Sequence, residues 1–281
     1  MRELSGKTAI LTGASGGLGR HIALALAQRG VNLVLAAYPG EGLDSRKEAV
    51  SQRGIRAFPL VANFRHTSQL RSVVEEAKRE FGHIDILINN AGVEFTSAYH
   101  ELPEENIRDI IGINLEAPML LTRLVLADML ERQCGHIVNM SSLAGKIGPA
   151  FQEPYAATKA ALIAFTASLR ATYRGTGVSA SVICPGFVEA GIYAKLKKET
   201  GFAAPALLGT SPPEPVAQAV VKAIRRDLPE VIINPYPVKP LFATAILFPR
   251  LGEFLVRRTG AHKFFGRAAE ALRRKRLDAQ K

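Results

Sequence analysis

The most informative segment of this 281-residue chain reads Thr8-Ala9-Ile10-Leu11-Thr12-Gly13-Ala14-Ser15-Gly16-Gly17-Leu18-Gly19-Arg20. The apolar run at residues 8–11 predicts a buried strand, and the helix formers of residues 21–29 predict a helix. Between them, Gly13, Gly17 and Gly19 have a G-x3-G-x-G spacing. Glycine allows a sharp turn and a close approach of backbone to a phosphate, and a helix N-terminus supplies N–H groups and partial positive charge. The segment therefore predicts a phosphate-binding turn between a strand and a helix.

Six more apolar runs rich in β-branched residues follow along the chain, with helix-like stretches between them. They occupy residues 31–36, 57–61, 84–88, 136–140, 178–183 and 231–233. Strands that alternate with helices form right-handed βαβ units, whose parallel sheet is covered on both faces. The pattern therefore predicts an α/β fold with a doubly wound parallel sheet of about seven strands, followed by a C-terminal helical extension.

The composition excludes a disordered chain, because 47% of the residues are hydrophobic and 22% are charged. The only cysteines are Cys134 and Cys184, so a disulfide framework is excluded and a reducing compartment is favoured. No His and Cys cluster has zinc-ligand spacing, and no metal site is predicted. Residues 1–5 do not resemble a signal peptide, and the apolar run 241–248 is far shorter than the roughly 20 residues of a membrane span. A cytoplasmic protein is expected.

Further motifs follow the glycine turn in a fixed order. They are Asn89-Asn90-Ala91-Gly92, Asn114 in Ile113-Asn114-Leu115, Ser142 in Met140-Ser141-Ser142-Leu143-Ala144-Gly145, Tyr155-Ala156-Ala157-Thr158-Lys159, and Pro185-Gly186 after the sixth strand. Over roughly residues 5–235 the chain resembles the short-chain dehydrogenase/reductase family in these motifs and their spacing. The resemblance implies a Rossmann-type fold and hydride transfer between a nicotinamide cofactor and a ketone or secondary alcohol.

Four residues are predicted to be catalytic: Asn114, Ser142, Tyr155 and Lys159. Tyr155 and Lys159 are four residues apart in a helix-forming run, so they share one helix face. An adjacent ammonium and an oxidised nicotinamide both favour phenolate, which predicts Tyr155 as acid in reduction and base in oxidation. Ser142 ends a strand, where its hydroxyl could donate to the substrate oxygen. The resemblance implies that Lys159 also binds the nicotinamide ribose and that Asn114 holds a water in a proton relay.

The resemblance also implies which residues contact the cofactor. They are Gly13, Ser15, Gly16, Gly17, Leu18, Gly19, Tyr38, Asn63, Phe64, Asn90, Ala91, Gly92, Tyr155, Lys159, Pro185, Gly186 and Val188. Two positions depart from the family pattern. Asn63 stands where an Asp usually contacts adenine, and Ala190 stands where a Thr usually contacts the nicotinamide carboxamide.

The end of the second strand, Leu35-Ala36-Ala37-Tyr38-Pro39, bears on the choice of cofactor. It lacks the carboxylate that would accept from the adenosine ribose hydroxyls of NAD, so NADP(H) is favoured and NAD(H) remains the alternative. The Arg that often meets the 2′-phosphate of NADP near Tyr38 is missing too. Arg46 and Lys47 follow soon after, although this charge run fits a solvated helix face equally well.

Two domains are expected: a dinucleotide-binding catalytic domain at 1–238, with a substrate loop at 191–215, and a basic, partly apolar extension at 239–281. The substrate loop contains Ile192, Tyr193, Leu196, Phe202, Leu207 and Leu208, which fit an apolar lid over a hydrophobic substrate or ordinary helix packing. The net charge is +11, and residues 239–281 hold 11 Lys or Arg against 3 Asp or Glu. Most of the excess charge therefore lies in the extension.

The extension has two interpretations. In the first, residues 240–281 contact a membrane: the apolar side chains enter the membrane surface while the cations meet anionic head groups. The apolar residues are Leu241, Phe242, Ile246, Leu247, Phe248, Leu251, Phe254, Leu255, Phe264 and Phe265. Alternatively, they pack over the substrate pocket or a partner subunit, leaving Arg273-Arg274-Lys275-Arg276 as a solvated helix end. Packing is favoured because Pro240 and Pro249 interrupt any long amphipathic helix. Nucleic acid is not expected, because aromatic and basic residues do not alternate regularly.

Two functions of different class fit these patterns. The first is an NAD(P)-dependent oxidoreductase that acts on a hydrophobic ketone or secondary alcohol, as a homodimer or homotetramer. The second is a non-catalytic dinucleotide sensor or scaffold that binds a partner through the lid and the tail. The simultaneous presence of Asn114, Ser142, Tyr155 and Lys159 favours the enzyme, because a pure binder has no evident use for all four.

Overall fold

The computed structural model describes residues 1–279 and contains one parallel sheet of seven strands. The strands are β1 (Thr8–Thr12), β2 (Asn32–Ala37), β3 (Ala57–Val61), β4 (Ile86–Asn89), β5 (Gly135–Met140), β6 (Val178–Pro185) and β7 (Glu230–Ile233). Their order across the sheet is β3-β2-β1-β4-β5-β6-β7. Each overlaps an apolar run identified in the sequence. The predicted doubly wound α/β fold is therefore confirmed.

The helices fill the connections and form the C-terminal extension. They are α1 (Gly17–Ala27), α2 (Leu43–Ser51), α3 (Thr67–Phe81), α4 (Glu104–Ile111), α5 (Ala117–Glu131), α6 (Glu153–Thr172), α7 (Gly191–Thr200), α8 (Pro213–Arg226), α9 (Lys239–Leu247), α10 (Pro249–Arg258) and α11 (Ala261–Ala279). A π-helical segment, Gly112–Glu116, joins α4 to α5.

Both faces of the sheet are covered by apolar helix faces. On one face α1, α2 and α8 contribute buried residues such as Ile22, Val50 and Val220. On the other face α3 and α5 contribute buried residues such as Val73 and Val125. Because both faces are buried, β1 is apolar along most of its length and does not alternate with polar residues. This two-sided core fixes the carboxyl ends of the strands, where the functional cleft forms.

The continuous helical stretch Glu104–Glu131 is long and apolar enough to cross a membrane, judged by length and composition alone. In this protein, 44% of the apolar 18-residue part of the stretch is buried. Leu121, Val125 and Met129 pack with the core that covers one face of the sheet. Part of the apolar surface of the stretch is therefore used in packing against the sheet.

The C-terminal extension folds back over the catalytic part of the chain. Phe264 and Phe265 of α11 pack with Tyr193 and Leu196 of α7 in a separate apolar cluster. The ring of Phe187, just after β6, lies 5.4 Å from the Phe264 ring, centroid to centroid, in an edge arrangement. Aromatic pairs of this geometry stabilise packing beyond their buried area. The extension is thus anchored on the lid helix.

The basic run near the end of α11 is exposed, as expected, but it also makes contacts that the sequence did not predict. Arg273 Nε lies 3.0 Å from Glu101 Oε1. A guanidinium nitrogen of Arg276 donates to Ser97 Oγ at 3.3 Å, and Lys275 Nζ donates to the backbone carbonyl of Glu199. The description as a purely solvated helix end is therefore wrong, because these contacts tie α11 to the segment after β4 and to α7.

His136 in β5 makes stability sensitive to acid. Its Nε2 lies 2.8 Å from Ser181 Oγ, and Ser181 Oγ donates to the Leu228 carbonyl, so Nε2 is the donor of the pair. Burial lowers the pKa of His136 to about 3. Since an unfolded His has a pKa of about 6.5, the unfolded chain binds the proton more readily below that pH. The contribution of this neutral His to stability is complete above pH ~6.5 and is lost as the pH falls towards 3.

We expect His136→Gln to flatten the acid side of the stability profile. As the pH decreases below ~6.5, the free energy of unfolding should fall less steeply in the variant than in the wild type. The two slopes should differ by up to about 1.4 kcal/mol per pH unit. Urea denaturation at a series of pH values measures the slope. His100→Gln is the control, because the His100 side chain is 83% exposed and should not change the slope. Equal slopes for wild type and His136→Gln would contradict the assignment.

Candidate active site

A cleft of about 600 Å³ opens at the carboxyl ends of the strands. Open α/β sheets bind their ligands at this edge. All of the predicted cofactor-contact residues line this one cleft: Gly13, Ser15, Gly16, Gly17, Leu18, Gly19, Tyr38, Asn63, Phe64, Asn90, Ala91, Gly92, Tyr155, Lys159, Pro185, Gly186 and Val188. Ser142 lines it as well, whereas Asn114 does not. Residues 170 positions apart in sequence are therefore brought to one surface.

The glycine turn is held in place by the segment that follows β4. Thr12 Oγ1 accepts the backbone N–H groups of Asn90 and Ala91, each at 3.0 Å. Asn90 Nδ2 donates to the carbonyl oxygens of Thr12 at 2.9 Å and Gly13 at 3.2 Å. The two motifs therefore form one hydrogen-bonded unit, which explains why both belong to the same site.

Close backbone contacts require glycine in this turn. Gly13 has a φ of +66°, in the left-handed region, and a Cβ at Gly19 would overlap the Gly13 carbonyl oxygen. A Cβ at Gly17 would lie 2.7 Å from the backbone nitrogen of Gly191 at the start of α7. The first turn of α1 contains no acidic residue, so its positive end is not neutralised. This geometry suits a pyrophosphate held by backbone N–H groups.

Tyr155, Ser142 and Lys159 meet where the glycine-lined groove reaches the apolar part of the cleft. The Ser142 hydroxyl is close enough to Tyr155 to lower the pKa of its phenol, and Ser142 Oγ accepts the backbone N–H of Ala144 at 3.1 Å. Lys159 Nζ lies 5.5 Å from the centroid of the Tyr155 ring and donates to the Met140 carbonyl at 2.8 Å. Only 9% of Tyr155 and 4% of Lys159 is exposed. Tyr155 and Lys159 are thus buried and Ser142 is partly buried, and together they form a polar group inside a largely apolar cleft.

Burial controls the titration of this group. It raises the pKa of Tyr155; the Ser142 hydroxyl lowers that pKa, and the carboxylate of Glu94 raises it. Burial also lowers the pKa of Lys159 to about 8, although nearby Cys184 opposes this shift. Desolvation of the phenolate is the largest cause of the shift at Tyr155, and Lys159 is not among the groups that lower the pKa of Tyr155. With the protein's own groups alone, Tyr155 is a proton donor at neutral pH.

Asn114 lies behind the cleft, in the π-helical segment. Its Nδ2 donates to the Val93 carbonyl and its Oδ1 accepts the Val93 N–H, both at 2.8 Å. A Cβ at Gly92 would lie 3.3 Å from Asn114 Oδ1 and 3.6 Å from Lys159 Nζ. Asn114 therefore holds the strand-end segment beside Lys159.

Apolar side chains from the lid and the extension form the remaining walls of the cleft. Ile192, Tyr193, Leu196 and Leu208 of the predicted substrate loop line it, together with Val238, Leu241, Phe242, Val256 and Phe265 of the extension and its approach. Two predicted lid residues do not. Leu207 is 67% exposed, and Phe202 packs in the cluster with α11, where Arg267 lies 4.3 Å from its ring centroid.

Sequence reasoning missed two polar residues of the site. Glu94 accepts a hydrogen bond from Thr96 Oγ1 at 2.6 Å and another from Gln152, and burial raises its pKa. Asn234 lines the cleft after β7, where its buried Oδ1 lies beside Gly186 and has no partner within residues 1–279. Neither stands in a motif. The position of Glu94 two residues after Asn89-Asn90-Ala91-Gly92 was the one available signal.

The surroundings of Tyr38, at the end of β2, contain cations and no carboxylate in the positions expected for NAD recognition. Tyr38 is 61% exposed. On α2, Nε of Arg46 is buried without a hydrogen-bond partner in the described part of the chain. Burial lowers the pKa of Arg46, and the positive charge of Arg20 lowers it further. Arg20 and Arg46 therefore form a pair of neighbouring cations beside the groove.

Comparison with known proteins identifies the family of this chain. The sequence profile described as short chain dehydrogenase matches residues 7–201. Ketoacyl reductase HetN from Nostoc sp. strain PCC 7120 is 44% identical over 238 residues, which cover 85% of this chain and 82% of the relative.

Two other relatives are more distant. The 3-oxoacyl-[acyl-carrier-protein] reductase FabG from Salmonella typhimurium is 35% identical over 187 residues, covering 66% of this chain and 75% of the relative. Oxidoreductase UcpA from Escherichia coli K12 is 33% identical over 225 residues, covering 80% of this chain and 82% of the relative. The family match over residues 7–201 includes the glycine turn, the strand-end motifs and the tyrosine helix.

Proposed function

Because the chain belongs to the short-chain dehydrogenase family and is an NAD(P)-dependent oxidoreductase, we propose that it reduces a hydrophobic ketone to a secondary alcohol with NADPH. One observation carries this proposal. The buried Tyr155 and the partly buried Ser142 beside it lie in one cleft with the glycine turn and with apolar side chains. Such a pair is suited to bind and protonate a carbonyl oxygen while the apolar walls hold the rest of the molecule.

NADPH, when held by the glycine turn and Lys159, would supply the hydride for the carbonyl carbon. Tyr155 donates its phenolic proton to the carbonyl oxygen, and Ser142 holds that oxygen with its hydroxyl. Lys159, with a pKa lowered to about 8, binds the ribose and stabilises the phenolate that forms. In the reverse direction Tyr155 accepts the proton, and the positive charge of an oxidised nicotinamide favours its phenolate form.

We propose that Asn234 compensates for Ala190. Ala190 precedes α7 and makes no side-chain hydrogen bond to the helix, so the usual hydroxyl for a carboxamide is missing. Asn234 presents an unpaired acceptor beside Gly186, close to the strand end where the family resemblance places the nicotinamide. An amide oxygen there can accept from the carboxamide NH₂ group.

NADP(H) is preferred in this proposal because Arg46 and Arg20 are neighbouring cations near the adenosine end of the groove. We expect Arg46→Gln to raise the KM for NADPH about 10- to 100-fold, since a hydrogen bond to a charged group contributes about 1.5–3 kcal/mol. The KM for NADH should not change. Lys47→Gln is the matched control on the same helix, where Lys47 is exposed. Equal effects on NADPH and NADH in steady-state kinetics would contradict the assignment.

The ketone is proposed to be carried on an acyl chain. Two relatives are named as reductases of such ketones: HetN is a ketoacyl reductase and FabG is a 3-oxoacyl-[acyl-carrier-protein] reductase. The cavity walls formed by Leu196, Phe242 and Val256 suit such a chain. We further propose a cytoplasmic homodimer or homotetramer, because Ile111 and Met119 of the α4–α5 region are 46% and 43% exposed.

The experiment that tests the function is NADPH oxidation by the purified chain with a panel of 3-oxoacyl thioesters and apolar ketones. Turnover of at least one member, increasing with chain length, is expected. The rival function, a non-catalytic sensor or scaffold, predicts NADPH binding by calorimetry and no turnover of any member.

A further inference from the structure

Five large apolar side chains are exposed where α9 meets α10. Ile246, Leu247 and Phe248 are 72%, 70% and 62% exposed, and Leu251 and Phe254 are 48% and 44% exposed. We name these five residues the apolar tip. Leaving so many neighbouring apolar groups in water is unfavourable. A contiguous patch of this kind marks an interaction surface.

The geometry of the α9–α10 hairpin directs the apolar tip away from the rest of the protein. A Cβ at Gly252 would overlap the Cα of Ala245, so the two helices cross in close contact. Phe242 and Val256 are buried and line the cleft. The inner face of the hairpin therefore packs against the cleft. No part of residues 1–279 covers the apolar tip.

Charge around the apolar tip identifies the partner. Residues 239–258 contain Lys239, Arg250, Arg257 and Arg258 against Glu253. Arg250 and Arg257 are exposed and have no carboxylate partner within residues 1–279. Arg258 lies 4.9 Å from the centroid of the Phe254 ring, so its charge is held at the edge of the patch. Apolar groups rimmed by arginines fit the interface of an anionic bilayer, where the rings enter and the cations meet phosphates.

We propose that the α9–α10 hairpin is a membrane-docking element that inserts the apolar tip into the head-group region of an anionic lipid bilayer. The basic run of α11 is not part of this surface, because Arg273, Lys275 and Arg276 contact Glu101, Glu199 and Ser97.

Docking also gives a route for an apolar substrate. Leu241, Phe242, Val256 and Thr259 of the same region line the cleft, so seating the hairpin on lipid brings the cavity wall to the bilayer surface. Entry of substrate from the bilayer rests on the proposed function, whereas docking of the hairpin does not.

The test is co-sedimentation of the full chain with vesicles, in the absence of cofactor and substrate. We expect binding to vesicles of phosphatidylglycerol and phosphatidylcholine, weaker binding at high salt, and little binding to phosphatidylcholine alone. The double variant Leu247→Glu/Phe248→Glu should lose at least about tenfold in vesicle affinity. Arg257→Gln should lose about fivefold, since each cation near an anionic surface contributes about 1 kcal/mol.

The control is Leu277→Glu, which alters an exposed apolar residue of α11 outside the apolar tip. It should bind vesicles as the wild type does. Thermal melting checks that each variant is folded.

Absence of binding to anionic vesicles at low salt, or equal binding by the double variant, would overturn the proposal. Sedimentation velocity tests the alternative that the apolar tip is a contact between copies of the chain. If the wild type is an oligomer that binds no vesicles, and the double variant is a monomer, the proposal is wrong. NADPH turnover, measured separately, reports on the proposed function alone.

Discussion

Tyr155→Phe is expected to reduce kcat/KM for ketone reduction by about 100- to 10,000-fold, the range that removal of a general acid produces. The substitution removes the phenolic proton donor that lies beside Ser142 and Lys159 in the cleft. NADPH affinity, measured by calorimetry, should change little because Lys159 is retained. Single-turnover kinetics should place the loss in the chemical step.

Tyr193→Phe is the matched control for that loss. Tyr193 lines the same cleft and is 6% exposed, and its hydroxyl accepts the backbone N–H of Ala204 at 2.9 Å. Its removal costs one lid hydrogen bond, roughly 1 kcal/mol, so activity should stay within about tenfold of the wild type. A Tyr155→Phe enzyme as active as Tyr193→Phe would eliminate Tyr155 as the acid.

Gly19→Ala is expected to weaken NADPH binding about 10- to 100-fold and to lower the melting temperature. The new Cβ overlaps the carbonyl oxygen of Gly13, so the phosphate-binding turn has to move. Overpacking of this kind costs about 1–3 kcal/mol, and a 1.4 kcal/mol loss corresponds to a tenfold change in affinity. Calorimetric titration with NADPH measures the effect directly.

Gly16→Ala provides the contrast within the same turn. Gly16 has a φ of −69° and ψ of 166°, which alanine adopts freely, and a Cβ there would lie 3.5 Å from the Gly13 carbonyl oxygen, an ordinary contact. The folded state should be unperturbed, so the melting temperature of Gly16→Ala should stay at the wild-type value. If both alanine variants melt at the same temperature, the close approach at Gly19 does not control the turn.

Sequence patterns predicted the sheet and most of the cleft because those features depend on local order along the chain. Each strand carries its own apolar run, and parallel strands place the segments after them at one edge. The glycine turn, Asn90 and Tyr155 therefore converge once the strand order is known. The family profile over residues 7–201 confirms the resemblance to the short-chain dehydrogenase family.

The features that the sequence missed depend on tertiary contacts. Burial raises the pKa of Tyr155, whereas the sequence revealed only a Lys four residues later. Lys275 contacts Glu199, 76 positions away, and Arg276 contacts Ser97, 179 positions away, so no local pattern could predict that α11 docks there. Glu94 and Asn234 follow strands without any periodic signal, and their importance comes from neighbours supplied by other elements.

The expected C-terminal extension illustrates both outcomes. Its helices pack over the cleft, as one of the two interpretations held, and Phe242 and Phe265 line the cavity. The same extension leaves the apolar tip exposed, a feature of the other interpretation. Pro240 and Pro249 lie near the starts of separate helices, α9 and α10, so they create a hairpin with an inner and an outer face.

The central claim is that this chain transfers hydride to a ketone and that Tyr155 supplies the accompanying proton. The most direct measurement is mass spectrometry and NMR of the product formed from a 3-oxoacyl thioester with NADPH deuterated at the transferring position of the nicotinamide. We predict one deuterium on the new carbinol carbon with the wild-type protein and none detectable in the same time with Tyr155→Phe. Product without deuterium, or equal labelling by Tyr155→Phe, would contradict the account.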